Sequence, residues 1–200
     1  MGTLSTNCVV FNAQTGKVTL LRRIIMNLLQ VIESRYSHKE GFLPDPVPLS
    51  DLEEIAKAGL AAPSGVNRQT VRLIILPNRQ AIDPLSALTP TPGYNTAPAA
   101  IIVFTDSTIS PPGHMNFEKE DYSAAMENML LAATALGYSS LWLDSPYFDP
   151  TNETAAKELL GIPETCRLWS VIPIGKPDGP GSRREKLPFT DRVSYGRYGQ

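Results

Sequence analysis

Apolar residues recur at two different spacings along this chain, and the spacing separates helices from strands. Helical spacing predicts helices at 27–33, 51–60 and 119–136, and Asp149-Pro150 predicts a further helix start. Short, mostly apolar runs predict buried strands. These runs are Val71 to Leu76, Ala100 to Phe104, Ser140 to Leu143 and Leu168 to Ile174. The mixed order of helices and strands indicates an α+β domain with one sheet between helices.

Local signals predict where the helices begin and end. Ser50-Asp51-Leu52-Glu53 predicts a capping box, and Pro63 removes a donor beyond that helix. Gly137 and Gly161 predict C-terminal caps. The connection from Pro77 to Pro98 is rich in proline and predicts a long polar loop, either a functional edge or a mobile cover.

The two ends of the chain differ from its middle. Residues 1–25 form an N-terminal extension of unknown role, with two β-rich runs, Cys8 to Phe11 and Lys17 to Leu21, that predict a hairpin. Met26 is an alternative start, and residues 26–200 are interpreted as a single domain. Its last part, residues 176–200, lacks helical periodicity and predicts an arm that packs on a partner subunit.

Composition and charge restrict the class of protein. The chain has 200 residues, 42% hydrophobic and 19% charged, with a net charge of -2, which argues against disorder and against nucleic-acid binding. It has neither a run of 18 apolar residues nor a signal-peptide pattern, so we expect a soluble cytoplasmic protein without a membrane partner. Cys8 and Cys166 are too few and too far apart for a disulfide framework or a zinc site, and we expect no metal.

Common catalytic motifs are absent, including G-x-G-x-x-G, the P-loop, H-E-x-x-H and G-x-S-x-G. A hydrolase built on Ser64 would need a histidine base, and His38 and His114 stand in polar surroundings without an evident carboxylate to orient them. This hypothesis is therefore disfavoured.

Two polar clusters remain as candidate sites. In extended geometry Arg35, Ser37 and Lys39 point the same way and offer a guanidinium, a hydroxyl and an ammonium to one anion such as phosphate. The alternative is a solvated helix end, where the cations interact favourably with the negative end of the helix dipole. The second cluster, residues 62–69, contains Gly65 for close backbone approach and the amides of Asn67 and Gln69, which suit a polyol or a heterocycle edge. Its alternative is an ordinary turn.

These clusters belong to an ordered set of motifs that resembles the nitroreductase family of FMN-dependent oxidoreductases. The set covers about residues 26–189 and runs Arg35-x-Ser37-x-Lys39, Pro63-Ser64-Gly65-x-Asn67-x-Gln69, Asp121 before Met126-Glu127-Asn128-Met129-Leu130-Leu131-Ala132-Ala133, Leu160-Gly161-Ile162-Pro163-Glu164, and Pro173-Ile174-Gly175-Lys176-Pro177. The resemblance implies a three-layer α+β fold, with a mostly antiparallel sheet between helices and a C-terminal arm exchanged in a homodimer.

The resemblance also implies a set of FMN ligands contributed by both chains. Arg35 and Ser37 would hold the phosphate with Arg184 and Lys186 of the arm, and Lys39 and Asn67 would lie near the ribityl chain and the flavin N1/O2 edge. The remaining implied ligands are Tyr36, Pro63, Ser64, Gly65, Gln69 and the turn Ser145-Pro146-Tyr147.

Some positions depart from the family pattern. Tyr36 stands where the family often has a second basic residue, and Thr70-Val71 replaces a frequent Pro-Trp pair. The stretches 77–98 and 106–118 are short compared with the family's usual lid insertions, so the chain resembles a short-lid member with an open substrate pocket.

The function implied by the resemblance is transfer of hydride from NAD(P)H through flavin N5 to an electron-poor acceptor such as a nitroaromatic or a quinone. No side chain is assigned as catalytic, since the flavin carries the chemistry. The alternatives are a specialised flavin enzyme of the same family, active in reductive dehalogenation or flavin breakdown, and a non-catalytic flavin-binding dimer. The sequence does not choose between NADH and NADPH.

Overall fold

A computed structural model describes residues 27–110, 113, 115–144, 147 and 149–199, and the backbone of residues 6–12 and 17–23. The helices are α1 (Leu28–Ser34), α2 (Leu49–Leu60), α3 (Arg79–Ser86), α4 (Pro92–Thr96), α5 (Glu118–Ala135) and α6 (Pro150–Leu160). The strands are β1 (Thr6–Asn12), β2 (Lys17–Arg23), β3 (Val71–Leu76), β4 (Ala99–Asp106), β5 (Ser139–Ser140) and β6 (Cys166–Gly175).

The main sheet has the strand order β3-β4-β6-β5, and all its pairs are antiparallel. In the register of the central pairs, Ile102 of β4 lies opposite both Ile74 of β3 and Val171 of β6. A register shift between Val103 and Phe104 marks an irregularity in the β4–β6 pair. β3 therefore forms one edge of the sheet within the described residues.

Apolar side chains cover both faces of this sheet. On one face, Ile101 of β4 belongs to the same core as Ile55 of α2 and Met126 of α5. On the other face, Ile102 belongs to a core with Ile82 of α3 and residues of α4 and α6. The alternation of neighbouring β4 residues between two cores is what a strand buried on both faces requires. The result is a three-layer α+β fold, as the sequence predicts.

Several predicted boundaries are confirmed. β3 covers the predicted residues Val71–Leu76, and α5 lies one residue from the predicted 119–136 at each end. The side chain of Asp149 accepts a hydrogen bond from the backbone N–H of Thr151, and Gly161 ends α6 with φ 66°. β5 is shorter than its prediction, because beyond Ser140 only isolated backbone contacts join this segment to β6, from Leu141 to Pro173 and between Leu143 and Val171.

The predicted capping box is wrong. α2 begins at Leu49 after Pro48, so Ser50 lies inside the first turn and no side chain caps this helix. Pro48 is extended, and its ring fixes φ, so the start of α2 is set by this proline and not by a side-chain cap.

The predicted long loop between Pro77 and Pro98 is also wrong. It contains α3 and α4, which begin at side-chain caps from Asn78 and Thr91. Pro84 lies inside α3, where it removes one backbone donor, and the buried Ile82 and Leu85 hold that helix on the sheet. The prolines in this segment favour a loop, whereas the helical spacing of Ile82 and Leu85 favours a helix.

The predicted N-terminal hairpin is present as the antiparallel pair β1–β2, with Thr6 opposite Arg23 and Asn12 opposite Lys17. Its turn lies outside the described residues. None of the helices in the described part of the chain combines the length and the hydrophobicity needed to cross a lipid bilayer.

Candidate functional site

The first cluster lies in a hollow of about 260 Å³ between the segment after α1 and the start of the arm. We call it the basic hollow. It is lined by Arg35, Tyr36, Ser37, Lys39, Ser182, Arg183, Arg184 and Lys186. The structure therefore brings together the six predicted residues of the two separate segments, 35–39 and 184–186, and adds Ser182 and Arg183.

The segment after α1 is extended because it pairs with β5. Ser37 forms a parallel bridge with Ser140, and the His38 N–H donates to the Ser140 carbonyl at 3.0 Å. His38 is fully buried, its Nε2 lies 2.8 Å from the Gly41 carbonyl oxygen, and its ring packs edge-on against Phe42. A carboxylate oxygen of Glu40 lies 3.7 Å from Nδ1, so the expectation of a histidine without a nearby carboxylate is wrong. This buried ring anchors the segment between the two hollow-lining residues Ser37 and Lys39.

Tyr36 holds the arm over the basic hollow. Its hydroxyl forms a hydrogen bond with the Ser139 hydroxyl at 3.1 Å. The ring lies close to Gly181, where an added Cβ would come within 2.0 Å of Tyr36 Cε2. The departure from the family pattern at this position thus replaces a charge with an aromatic support for the arm.

The charge of the basic hollow is strongly positive. Arg35 forms an ion pair with Glu127 of α5 at 3.4 Å. Among the residues that the structure describes, no carboxylate lies within ion-pair distance of Lys39, Arg183, Arg184 or Lys186. Uncompensated cations around one cavity, with serine hydroxyls beside them, favour binding of an anion with several acceptor oxygens.

The second cluster lies at a different cavity, of about 470 Å³, which we call the apolar hollow. Its lining is mostly apolar and comes from α2, α5, β3 and the loop between α2 and β3. From the predicted cluster it includes Pro63, Ser64 and Gln69. Asn67 and Gly65 line neither hollow. Arg35, Ser37 and Lys39 are therefore brought together, but Asn67 is not brought to them within one chain.

The loop between α2 and β3 has an unusual backbone. Val66, Asn67 and Gln69 have φ values of 46°, 56° and 53°, a region that residues other than glycine rarely occupy. Such strain persists only where surrounding contacts fix the loop, and it is common at functional sites. Gly65 is also constrained, because an added Cβ would meet the Phe117 ring at 2.2 Å.

Asp121 of α5 provides the contacts that fix this loop. Its carboxylate is 2% exposed and accepts the Gly65 N–H and the Thr70 hydroxyl, each at 2.7 Å. The loop closes on itself through the Gln69 N–H, which donates to the Ser64 hydroxyl at 3.0 Å. A buried carboxylate needs such donors to be stable, so helix and loop stabilise each other.

The predicted turn at 145–147 is described only at Tyr147. This side chain is buried, its hydroxyl lies 3.3 Å from that of Tyr94, and burial raises its pKa to about 12. Its N–H donates to the Asp144 carbonyl at 3.0 Å. Ser145 and Pro146 lie outside the described residues, and the contact of this turn with a flavin stays a prediction.

Asp144 fixes the start of that turn. One carboxylate oxygen accepts the Trp142 indole N–H at 2.6 Å and the other accepts the Tyr122 hydroxyl at 3.2 Å. Burial and the nearby Asp144 charge raise the pKa of Tyr122. Sequence reasoning missed this role, because Tyr122 lies 22 residues from Asp144 along the chain.

Sequence reasoning also missed Ser182 and Arg183. The signal was the run Ser182-Arg183-Arg184-x-Lys186, in which only the last two basic residues were selected. In the structure the whole run faces the segment 35–39.

Comparison with known proteins now identifies the family. The profile of the nitroreductase family matches residues 32–90 and 86–176, which is more than half of the chain. The chain belongs to the nitroreductase family. All residues that line the apolar hollow lie within this match, and the basic hollow is lined partly by matched residues. The hairpin β1–β2 and residues 177–200 lie outside it.

Two relatives of this nitroreductase-family chain carry the same kind of name, which assigns them to the NADH dehydrogenases or NAD(P)H nitroreductases. The protein from Archaeoglobus fulgidus is 39% identical over 128 residues, covering 64% of this chain and 72% of its own length. The protein from Methanothermobacter thermautotrophicus is 32% identical over 161 residues, covering 79% and 82%.

A solved structure of the same fold comes from Desulfovibrio desulfuricans, and its description is a nitroreductase in complex with FMN. The similarity extends over 86% of this chain and 98% of that chain, with a TM-score of 0.71 and 26% sequence identity. The predicted nitroreductase-like α+β fold is thereby confirmed.

Proposed function

We propose that this chain is an FMN-dependent oxidoreductase that uses NAD(P)H to reduce an electron-poor acceptor such as a nitroaromatic or a quinone. The basic hollow carries the proposal, because it combines Arg35 and Ser37 with arm cations. Within the described part of the chain, four of its five cations have no carboxylate at ion-pair distance. The names of the two archaeal relatives and the FMN in the Desulfovibrio desulfuricans structure support it.

The donor set fits the phosphate of FMN. A phosphate monoester has three strong acceptor oxygens and carries close to two negative charges at neutral pH. Arg35 and Ser37 would bind it from one side, and Arg184 and Lys186 would bind it from the arm. Arginine suits this role, since its planar guanidinium can donate two parallel hydrogen bonds to one phosphate.

FMN bound in this hollow would supply hydride-transfer chemistry between NAD(P)H and the acceptor. The chain's own contribution is to bind and orient. Lys39 would bring positive charge toward the flavin, where it favours the reduced anionic form. The loop with Asn67 would contact the flavin held by a partner protomer, since Asn67 does not line the basic hollow of its own chain.

The proposed active form is a homodimer in which the arm packs on the partner. The chain exposes 12558 Å², against about 9,300 Å² expected for a compact protein of 21.8 kDa. Much of the arm's apolar surface is exposed, at Leu187, Phe189, Val193, Tyr195 and Tyr198. The apolar hollow and the free edge of β3 offer a complementary surface.

The cofactor test is the flavin content of the purified protein and of an Arg35→Ala variant. Loss of one charge-assisted phosphate contact, about 1.5 to 3 kcal/mol, should weaken FMN retention at least ten-fold. A variant that purifies with full flavin content would show that the phosphate lies elsewhere.

The activity test is NAD(P)H oxidation with nitrofurazone or menadione as acceptor. Steady turnover with intact flavin is expected. Loss of the flavin itself during turnover would favour flavin breakdown. Flavin reduction too slow for turnover, followed by stopped-flow bleaching, would favour the non-catalytic flavin-binding dimer.

A further inference from the structure

Arg68 joins the loop between α2 and β3 to the residues that directly precede α5. Its Nη1 donates to the Met115 carbonyl at 2.7 Å and lies 3.4 Å from the Ser110 hydroxyl oxygen. Its backbone N–H donates to the Gly65 carbonyl at 3.2 Å, within the strained loop itself. We call residues 115–117 the α5 leader. The guanidinium of Arg68 therefore ties the first residue of this leader to the loop.

The rest of the α5 leader is fixed as well. The Phe117 ring packs so close to Gly65 that an added Cβ there would lie 2.2 Å from the ring Cγ. The Asn116 side-chain oxygen accepts the Glu118 N–H at 2.8 Å, and its amino group donates to the Glu118 carboxylate at 3.3 Å. That buried carboxylate also accepts the Thr105 hydroxyl at 2.9 Å. The leader thus has a defined position along its whole length.

The two segments that Arg68 joins each carry a large apolar side chain that the chain does not bury. Met115 of the leader is 71% exposed, and Val66 of the loop is 73% exposed. Val66 has a φ of 46°, which is costly for a β-branched residue. Such a conformation persists only where surrounding contacts fix it, and it is common at functional sites. These exposed side chains are therefore available to a ligand beside the loop.

We propose that Arg68 is a positioning residue for the electron acceptor, and that it acts by holding Met115 as an apolar contact for a planar aromatic acceptor. The inference rests on the proposed function, in which the loop with Asn67 contacts the flavin of a partner protomer. A leader tied to that loop then lies beside the same flavin, where the acceptor binds. Methionine suits this role, because its polarisable sulfur makes favourable contacts with aromatic rings and its flexible side chain adapts to their shape.

The kinetic test is a double-mutant cycle on KM for menadione in the FMN-loaded enzyme, with Arg68→Met, Met115→Ala and the double variant. Met115→Ala keeps the backbone carbonyl that Arg68 binds, so it removes the side chain without removing the tie. Each single variant should raise KM about five-fold with little change in kcat, as expected for loss of apolar contact area. Because Arg68 acts through Met115, the double variant should be no worse than either single one. Effects that multiply would overturn the proposal.

Two control variants separate position from charge. Arg68→Lys keeps the charge and a donor and should stay within about two-fold of the wild-type KM. Lys119→Met removes an exposed cation from the first turn of α5, next to the leader, and should leave KM unchanged. A rise as large as that in Arg68→Met would assign the effect to charge and overturn the proposal.

A control acceptor tests the aromatic contact. Ferricyanide is hydrophilic and has no aromatic ring, so its KM should be the same in Met115→Ala as in the wild type. A rise equal to that for menadione would overturn the assignment of Met115 to an aromatic acceptor.

The binding test needs no turnover. Menadione is titrated into the oxidised, FMN-loaded protein without NAD(P)H, and binding is followed by flavin absorbance. We expect Kd to rise about five-fold in Met115→Ala. An unchanged Kd would overturn the proposal even where Arg68→Met does not fold. Light scattering of the same samples tests whether a partner subunit covers Met115 instead, since dissociation of the dimer with an unchanged Kd would also overturn it.

The two hypotheses fail in different ways. A protein that retains no flavin and does not oxidise NAD(P)H contradicts the proposed function. A flavin-loaded, active enzyme whose KM and Kd for menadione stay the same in Arg68→Met and Met115→Ala contradicts only the positioning role of Arg68.

Discussion

Adding one methyl group at Gly181 should open the basic hollow. An alanine Cβ at this position would lie 2.0 Å from Cε2, 2.5 Å from Cζ and 2.6 Å from the hydroxyl oxygen of Tyr36. Non-bonded carbon atoms approach to about 3.5 to 4.0 Å, so ring and arm must separate by about 1.5 Å or more. The φ of Gly181 lies outside the left-handed region, so alanine adds no backbone strain of its own.

A displacement of that size should weaken FMN binding about ten-fold. The hollow-lining arm residues follow Gly181 directly, and a hydrogen bond near 2.9 Å is lost when it lengthens by 1 Å. Loss of one contact to a charged phosphate costs about 1.5 kcal/mol, the low end of the usual range, because these arm side chains are exposed to solvent. One such contact corresponds to the ten-fold effect.

The assay is titration of flavin-free protein with FMN, followed by quenching of flavin fluorescence, in four variants. These are wild type, Gly181→Ala, Tyr36→Ala and the double variant. The alanine at 181 should cost about ten-fold beside Tyr36 and much less in the Tyr36→Ala background, where the ring is gone. An equal cost in both backgrounds, or none in either, would refute the role of this contact. Gly41→Ala is a matched control, since its Cβ would meet its nearest neighbour at an ordinary 3.5 Å.

Three further predictions concern stability and assembly. Asp121→Asn replaces one of the two carboxylate oxygens that accept short hydrogen bonds from the 64–70 loop. The free energy of unfolding should fall by about 2 kcal/mol, which corresponds to a decrease of roughly 4 to 8 °C in Tm by calorimetry. An unchanged Tm would contradict the role of Asp121 in fixing this loop. Truncation after Pro188 keeps the cations that line the basic hollow and removes most of the exposed apolar side chains of the arm. Light scattering should then show a monomer. A stable dimer would contradict the role of the arm in dimer formation. The raised pKa of Tyr147 gives a stability that is complete below about pH 10 and is lost as pH rises through about 12. In urea, the free energy of unfolding of Tyr147→Phe should therefore change less with pH in this interval than that of the wild type, by up to about 1.4 kcal/mol per pH unit. An equal pH dependence in the two proteins would contradict the raised pKa of Tyr147.

The sequence predicts the elements whose local signals agree with their packing. β3 and α6 are placed well because apolar runs, caps and glycine coincide at their ends. α3 is missed because its signal is split, with prolines at its borders and one inside, while burial of Ile82 and Leu85 decides the outcome. Packing against the sheet outweighs the local cost of proline.

The same division applies to the site. Alternation along an extended segment is enough to place Arg35, Ser37 and Lys39 on one side. Contacts between distant segments leave no local pattern, so neither the support of Gly181 by Tyr36 nor the anchoring of the 64–70 loop by Asp121 was predictable from spacing. Both depend on how α5, β5 and the arm meet in three dimensions.

The basic hollow is lined by two segments of the same chain, and the strained loop of that chain does not contribute to this lining. In the proposed homodimer, one subunit thus binds the phosphate of each flavin and the other subunit contributes the loop with Asn67. Two inactive variants, one lacking the Arg35 side chain and one lacking the Asn67 side chain, can then restore a complete flavin site when they form a mixed dimer. A mixed dimer contains one site that lacks both residues and one site that has both. The isolated mixed dimer should therefore regain about half of the flavin and half of the turnover, and randomly paired co-expressed chains about a quarter.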